Sequence, residues 1–461
     1  MIRHALLAAA FIAGPSPLAA QTFAITNGTV ALGDGSEPIA GATVIIRNGR
    51  VVSAGRTARV PAGAQIIDAN GKWVTPGIVA GFSRLGLAEV DLGASGSDDT
   101  ETGNSPFSAA IDVAPAINPR ASTIAVGRSD GVTRAIVAPA AGKSIFAGQG
   151  AVIDTGADMD AVLRSRAFQF VELGEGGAGI AGGSRASAFL LFRNALREAR
   201  DLGNVPLQGA RGGASPQPDD IPYEERQDPR LLARQTERSD DVLLTRFDAA
   251  ALVPVLRGRQ LLLVHVERAK DILNVLDLRR EFPALRIALV GVTEGWIVAD
   301  QIAAAGVWVI ASALNDLPAS FEMLGATQSN IGRMRFAGVK VAIGMIDDND
   351  TRYQRNQRQY AGNLVALGKL PGAAGLSWGE AFAMITSRPA EVVGLGNEIG
   401  SLAAGRRADV VIWSGDPLEL SSAPEAVWID GVVQPLDNHQ TRLRDRYRSL
   451  ERRDLPEAYR H

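Results

Sequence analysis

The chain contains no cysteine and only four histidines among its 461 residues. The lack of cysteine excludes disulfide bonds and a lipid-bearing cysteine near the start of the chain. Lysine is nearly as scarce, since arginine outnumbers it 42 to 5. Because histidine is a common metal ligand, its scarcity allows the metal chemistry of the chain to be checked residue by residue.

The chain also lacks a large charge of either sign. Its formal net charge is −3 and its isoelectric point is about 5.9. No strong field therefore attracts nucleic acid or anionic lipid. With 46% hydrophobic and 21% charged residues, the chain has the composition of a globular protein. Its length favours one large domain and one smaller domain. We expect no nucleic-acid partner, and we expect a small molecule as the ligand.

The apolar run near the start is too short for a membrane anchor, which needs about 20 residues. It extends from Ala5 to Ala13, follows Arg3 and precedes the segment Leu18-Ala19-Ala20. This order is typical of a cleavable signal peptide. The sequence therefore predicts a signal peptide over residues 1–20 and a protein that is exported, either to the periplasm or by secretion.

Short strands separated by tight turns are predicted at both ends of the chain. Asn48-Gly49, Asn70-Gly71 and Asp430-Gly431 are pairs that readily adopt the positive φ angles of hairpin turns. The strands around them are predicted at 23–30, 42–46, 65–69, 72–74, 408–413, 426–429 and 432–433. Because such segments can pair across the chain, residues 21–74 and 401–435 are predicted to form one small composite β-sandwich.

Apolar strands alternate with helical segments between these ends. Predicted strands cover 132–138, 168–173, 261–266, 286–292, 307–311 and 340–346, and predicted helices include 187–202, 267–281, 294–305 and 379–387. This α/β pattern favours a parallel sheet. Residues 75–400 are therefore predicted to form a (β/α)8 TIM-like barrel inserted into the sandwich. Residues 203–230 are predicted to be an exposed loop, and residues 436–461 a helical tail.

Two motifs resemble those of the amidohydrolase superfamily, and within it the imidazolonepropionase-like members. The first is Val-Thr-Pro-Gly at residues 74–77, which in the family leads to the first barrel strand and a His-x-His metal motif. The second is Gly400-Ser401-Leu402 with Gly405 and Ala408-Asp409, at the return into the sandwich. The resemblance implies a barrel inserted into a sandwich and a metal-dependent hydrolase of C–N bonds.

The histidines of the His-x-His motif are absent from this chain. Depending on the register, the motif position holds Gly81-Phe82-Ser83 or Phe82-Ser83-Arg84. A neutral serine is a weak metal ligand and arginine repels a cation. Ser83 and Arg84 are therefore candidate substrate-binding residues. The resemblance also implies a sixth-strand histidine near residues 291–293 and a carboxylated lysine after the fourth strand, and the sequence contains neither.

His265 is the only histidine within the predicted barrel, at the end of the strand 261–266. The resemblance implies a metal-binding histidine at the fifth strand. His265 is a candidate catalytic residue, as a ligand or a base, although a histidine that is only packed at the barrel rim fits the sequence as well. Glu267, two residues on, either orients His265 or begins the next helix, and it is a candidate substrate-binding residue.

Asp347 and Asp348 follow the predicted strand 340–346, which by resemblance corresponds to the eighth barrel strand of the family. The resemblance implies an aspartate general base two residues after Gly344, where this chain has Ile346. Asp347 and Asp348 are therefore candidate catalytic residues, with a solvated loop of aspartates as the alternative. Arg84 could also pair with either of them across the barrel mouth.

Two functions follow from this sequence. The first is an exported hydrolase of C–N bonds, amide or non-peptide, in a small substrate, with a degenerate metal site. The alternative is a non-catalytic amidohydrolase-like protein that binds a ligand or a related subunit in a homo- or hetero-oligomer. Because a catalytic zinc usually has three protein ligands, the single histidine of the barrel leads us to expect no metal and no other cofactor.

Overall fold

A computed structural model describes residues 22–89, 98–204, 243–313, 315–346 and 353–448. The strands are β1 Thr22–Val30, β2 Ile39–Arg47, β3 Arg50–Gly55, β4 Gln65–Asp68, β5 Trp73–Pro76, β6 Ile78–Ser83, β7 Val132–Val137, β8 Phe146–Asp154, β9 Val162–Glu172, β10 Leu261–Val266, β11 Ile287–Gly291, β12 Trp308–Ala311, β13 Lys340–Ile343, β14 Val410–Trp413, β15 Pro424–Ile429 and β16 Val432–Val433. The helices are α1 Ser122–Ser129, α2 Glu175–Ile180, α3 Arg185–Asn204, α4 Arg246–Leu256, α5 Ala269–Glu281, α6 Ala299–Ala305, α7 Asn330–Phe336, α8 Gln357–Leu367, α9 Trp378–Ala383, α10 Ser387–Val392 and α11 His439–Tyr447.

One eight-stranded sheet, the terminal sheet, combines strands from both ends of the chain. Its order is β16-β15-β14-β5-β1-β2-β3, and β4 pairs with β1. The predicted Asn-Gly and Asp-Gly turns have positive φ at both residues, for example 52° at Asn48 and 71° at Gly49. The two ends meet where β5 pairs antiparallel with β14.

The second eight-stranded sheet forms the barrel, in the order β13-β12-β11-β10-β9-β8-β7-β6. Its first and last strands approach closely, since a Cβ atom on Gly81 would lie 2.1 Å from the carbonyl oxygen of Ile343. The interior holds apolar side chains from alternate strand positions, including Phe82, Phe168 and Leu263. The predicted fold class, a TIM-like barrel with a second β-rich part, is confirmed.

The third barrel strand departs from the predicted (β/α)8 pattern. Strand β8 runs antiparallel to both β7 and β9. The connections on either side of it, residues 138–145 and 155–161, are too short for the crossover of a dozen or more residues that parallel neighbours need. The sequence did not indicate β8, because Gly148 and Gly150 interrupt its apolar pattern.

A buried arginine joins the barrel to the terminal sheet. The side chain of Arg134, on β7, is fully buried. Its Nε donates to Asp409 Oδ2 at 2.8 Å and its Nη2 to Asp409 Oδ1 at 2.9 Å. Asp430 lies 2.9 Å away and Asp154 3.4 Å away. The guanidinium therefore bonds carboxylates from both sheets.

Several predicted segments lie outside the described residues: the signal peptide, almost all of the loop 203–230 and the end of the tail. Helix α3 extends to Asn204, so the first two residues of that loop are helical. The described part of the tail forms α11, which Asn438 caps. Within the described ranges, no helix is long and apolar enough to cross a membrane.

Candidate active site at the barrel mouth

A cavity of about 370 Å3 opens at the carboxyl ends of the barrel strands. It is called the mouth cavity below. In barrels of this type the strand carboxyl ends are where active sites lie. Its polar lining comprises Arg84, Glu101, Glu172, His265 and Glu267, and its apolar lining includes Phe82, Phe170, Ile180, Met323 and Ile346.

The first barrel strand presents Phe82 and Arg84 to this cavity. Arg84 is largely buried, with 9% of the residue exposed. Ser83 lies between them on the opposite face, because successive side chains of a strand alternate. Its hydroxyl is fully buried and donates to the carbonyl oxygen of Ile136 at 3.0 Å. The structure therefore selects Phe82-Ser83-Arg84 of the two registers and does not bring Ser83, a candidate substrate-binding residue, to the cavity.

His265 is held between two glutamates. Strands β9 and β10 pair in a register that sets His265 beside Glu172. The ring Nδ1 lies 2.8 Å from both carboxylate oxygens of Glu172, and Nε2 lies 3.0 Å from Glu267 Oε1. An ionised carboxylate only accepts hydrogen bonds. With both ring nitrogens donating to carboxylates, the imidazole carries two protons and a positive charge.

The surroundings of His265 favour this charged form. Burial alone would lower the pKa of the imidazole. The charge of Glu172 and the hydrogen bonds to both glutamates outweigh burial, and they raise the pKa of His265 well above its ordinary value. The group is therefore an imidazolium at neutral pH.

Strand β11 supplies the backbone that holds Glu267. The backbone N–H of Thr293 donates to Glu267 Oε2 at 2.7 Å. It points there because Gly291 and Val292 both have positive φ, 89° and 60°. Gly291 also leaves the space that the carboxylate fills, since a Cβ atom there would lie 2.2 Å from Glu267 Oε1 and 2.9 Å from His265 Nε2.

A second ionic cluster lies behind Glu172 and is centred on Arg185. Its guanidinium lies 3.1 Å from Asp271, 3.2 Å from Glu322 and 3.3 Å from Glu175. Burial raises the pKa of Glu322, although hydrogen bonds from the Glu175 N–H and from Arg185 and the charge of His265 act against that rise. Arg185 therefore connects segments that follow three different barrel strands.

Some of these residues were predicted and others were not. The structure brings the candidates His265, Glu267 and Arg84 together in the lining of the mouth cavity. Asp347 and Asp348 lie outside the described residues, as does any pairing of Arg84 with them. Glu172, Arg185 and Glu322 were missed. A signal for Glu172 was present, because it is a single acid in the apolar run Phe-Gln-Phe-Val-Glu-Leu of residues 168–173.

The described residues do not form a complete metal site. Glu172 and Glu267 bond different ring nitrogens of His265, and these nitrogens point in different directions. One ion bound to the ring could therefore meet only one of the two glutamates. Across the described ranges, no group of three or more histidine, cysteine, aspartate and glutamate side chains could hold a metal ion.

A family model described as "Amidohydrolase family" matches residues 302–434. Among curated proteins, Amidohydrolase tasK of Hapsidospora irregularis is 45% identical over 60 residues, 13% of this chain and 6% of that protein. Imidazolonepropionase of Acidiphilium cryptum (strain JF-5) is 33% identical over 104 residues, 22% of this chain and 24% of that protein. The chain thus matches only a small part of the length of these relatives.

The solved structure of an amidohydrolase from Thermotoga maritima MSB8 superposes with a TM-score of 0.72. The superposition covers 89% of this chain and 99% of that one at 23% identity. At this identity the similarity shows the fold alone.

The prediction that no cofactor is needed is contradicted. The family whose model matches residues 302–434 points to a divalent metal cofactor. The prediction relied on counting histidines, and such a count leaves out carboxylates such as Glu172 that strand pairing brings to the mouth cavity.

Proposed function

We propose that the chain is a member of the amidohydrolase superfamily that hydrolyses C–N bonds, amide or non-peptide, in a small substrate; the family-model match and the two curated relatives support this. The reaction would take place in the mouth cavity. The observation that carries this proposal is the Glu172–His265 pair at the carboxyl ends of neighbouring barrel strands. The similarity to hydrolases does not favour the alternative of a non-catalytic subunit.

Glu172 is the better placed of the two glutamates to act on a substrate. Its side chain is 17% exposed, whereas that of Glu267 is 2% exposed. Glu172 also accepts a hydrogen bond from the backbone N–H of Gly174 at 2.9 Å. Two fixed donors, His265 and Gly174, therefore orient a carboxylate that still reaches the cavity.

In the proposed reaction Glu172 takes a proton from a water molecule as the water oxygen bonds to the substrate carbon. The C–N bond then breaks, and Glu172 returns the same proton to the leaving nitrogen. No proton is gained or lost by the protein. The His265 imidazolium holds the carboxylate in place and stabilises negative charge that develops on the substrate. Glu267 keeps His265 oriented through its bond to Nε2.

The walls of the mouth cavity favour a compact substrate with an apolar face. Phe82 and Phe170 pack against each other with ring centroids 5.4 Å apart. Both line the cavity, together with Met323 and Ile346. An aromatic or cyclic group would cover this apolar surface and place an adjoining C–N bond near Glu172.

The proposal is tested by assaying the purified chain for amine or ammonia release. The panel covers N-acyl amino acids, ureas and cyclic imides, each with no added metal, with zinc and with manganese. We expect turnover of at least one class, and Glu172→Gln should lower kcat by about a hundredfold or more. Glu101→Gln changes an acid in the same cavity that has no bond to His265, and it should retain activity. An inactive panel, or full activity in Glu172→Gln, would contradict the proposal.

We also propose that the protein is exported, on the basis of the charged and apolar segments of residues 1–20. In a host with two membranes, the mature protein should be recovered from the periplasm with an N-terminus near Gln21. Finding Met1 at the start of the native protein would contradict export.

A further inference from the structure

A second cavity, of about 300 Å3, lies on the flank of the barrel. It is called the flank cavity below. It is enclosed by the loops 102–108 and 142–147, by helices α2 and α3, and by the residues leading into α4. Ile180 lines both this cavity and the mouth cavity. The two cavities are therefore neighbours that share one wall.

The inner part of the flank cavity is apolar. Its lining includes Phe146 and Ala195, which are 3% and 2% exposed, and Leu191 on the same face of α3 as Ala195. Phe107 lies at the opening, 40% exposed, with its ring edge-on to Phe247 at 5.5 Å. A cavity of this size and lining suits the body of one small apolar ligand.

The outer part of the flank cavity carries hydrogen-bond donors. Lys143 bonds the neutral side-chain oxygen of Asn104. No carboxylate forms an ion pair with Lys143 among the residues that the structure describes. Ser105 and Ser144 each accept a backbone N–H, at 3.0 and 3.1 Å. Each hydroxyl therefore keeps its own O–H for donation.

The single acid in the lining does not offset these donors. Asp248 is 2% exposed. Its Oδ1 accepts the backbone N–H groups of Ser108 and Ala110 at 2.8 and 2.9 Å, and its Oδ2 accepts the hydroxyl of Thr245 at 2.7 Å. Both carboxylate oxygens are thus used to hold the loop and the start of α4, and the ammonium of Lys143 is the ionised group at the opening.

We propose that the flank cavity is a second binding site, for a small carboxylate on an apolar body of about the size of a phenyl group. The apolar body lies against Phe146, Leu191 and Ala195. The carboxylate accepts hydrogen bonds from Lys143 and from the hydroxyls of Ser105 and Ser144 at the opening. Inorganic phosphate lacks a group to fill the apolar part and binds more weakly. The site is independent of hydrolysis, so it does not require the proposed activity.

The test is calorimetric titration of the full chain with 3-phenylpropionate, with its neutral amide and with inorganic phosphate. We expect the carboxylate to bind about tenfold more tightly than the amide, the difference that one charge-assisted hydrogen bond makes. Lys143→Gln should remove this difference, and Lys143→Arg should keep it. Leu191→Trp fills the apolar part and should abolish binding of both organic probes.

Two controls make the outcome decisive. Thermal melting shows whether Leu191→Trp is folded, and Ala195→Phe is a second variant that fills the cavity from the same helix face. Glu172→Gln changes the mouth cavity only and should bind the probe as the wild type does. The proposal is overturned if the wild type binds neither organic probe or binds both equally. It is also overturned if a folded, filled variant still binds, or if Glu172→Gln loses binding.

Discussion

Val292 is a fully buried β-branched residue with a φ of 60°. Such residues rarely adopt positive φ, and the conformation costs about 1–3 kcal/mol. The same turn directs the N–H of Thr293 at Glu267, and the side-chain amide of Asn330 donates to the carbonyl of Val292 at 2.9 Å. The backbone here is therefore held in an unfavourable conformation that places a hydrogen-bond donor at the candidate site.

Gly291 is the residue whose substitution should disturb this arrangement most directly. In Gly291→Ala the methyl group would meet Glu267 and His265, so we expect the pair to separate and the domain to lose roughly 2 kcal/mol or more of stability. Chemical denaturation measures the loss. Gly338→Ala, which also has positive φ but open space around it, is the matched control for backbone strain alone. Equal effects of the two substitutions would show that the contact with Glu267 is unimportant.

The charge on His265 predicts a pH dependence. Because its folded-state pKa is raised, protonation of His265 stabilises the folded state below its ordinary pKa, and this contribution is lost as pH rises through the folded pKa. Histidine NMR should show one imidazole that titrates well above 6.5. Glu172→Gln should shift that midpoint down, whereas Glu101→Gln should not. A midpoint for His265 at or below 6.5 would contradict the imidazolium assignment.

Among the secondary-structure elements, Arg185 connects three segments around the barrel mouth. It forms ion pairs with Glu175 of α2, Asp271 of α5 and Glu322 in the segment after β12. Asp271 and Glu322 are 3% and 6% exposed, so burial makes their charges costly without a cationic partner. Asp271 also pairs with Arg268 at 3.1 Å, and the charge of His265 acts on Glu322 as well. The segment carrying Glu322 also contributes Met323 to the mouth cavity.

Removing the Arg185 guanidinium should destabilise the segments around the barrel mouth. We expect Arg185→Ala to lower the free energy of unfolding by about 2–3 kcal/mol, because the buried Glu322 loses its ion pair and Asp271 keeps only its pair with Arg268. Arg185→Lys, which retains the charge but not the forked geometry, should lose less. The double variant Arg185→Ala/Glu322→Gln should recover part of the loss in denaturant melts. If the losses of unfolding free energy in the two single variants simply added in the double variant, Arg185 and Glu322 would not be coupled.

Most of the elements could be predicted from local patterns. The Asn48-Gly49 and Asp430-Gly431 turns and the helix at 187–202 follow from residue type and periodicity. Strand β8 could not be predicted, because its glycines hide the pattern and its place depends on short connections. The contact of His265 with Glu172 depends on the pairing of β9 with β10. That register brings together residues 93 positions apart, and local pattern carries no such information.

For the whole molecule, Arg134 and its carboxylate partners Asp154, Asp409 and Asp430 join the barrel to the terminal sheet. This ionic cluster should make the stability of the protein depend on pH. Burial raises the pKa of Asp154 to about 6, although the charge of Arg134 opposes the rise. The folded state therefore holds a proton that the unfolded chain has released. Stability should fall by about 2 kcal/mol as pH rises from about 4 to about 6.

The role of Asp154 is tested by measuring the unfolding free energies of the wild type and of Asp154→Asn from about pH 4 to about pH 6. The difference between the two proteins should change by about that amount, because other carboxylates contribute equally to both. A constant difference across the range would contradict the assignment to Asp154.

The terminal sheet has a consequence for the order in which the molecule can assemble. Strand β5 pairs with β1 on one side and with β14 on the other. The indole of Trp413 donates to the hydroxyl of Thr75 at 2.9 Å, across 338 residues of chain. During synthesis on the ribosome one edge of β5 has no partner until nearly the whole chain has been made. Contacts at such sequence separation give a high contact order and slow folding, and an open strand edge invites pairing with other chains in the meantime.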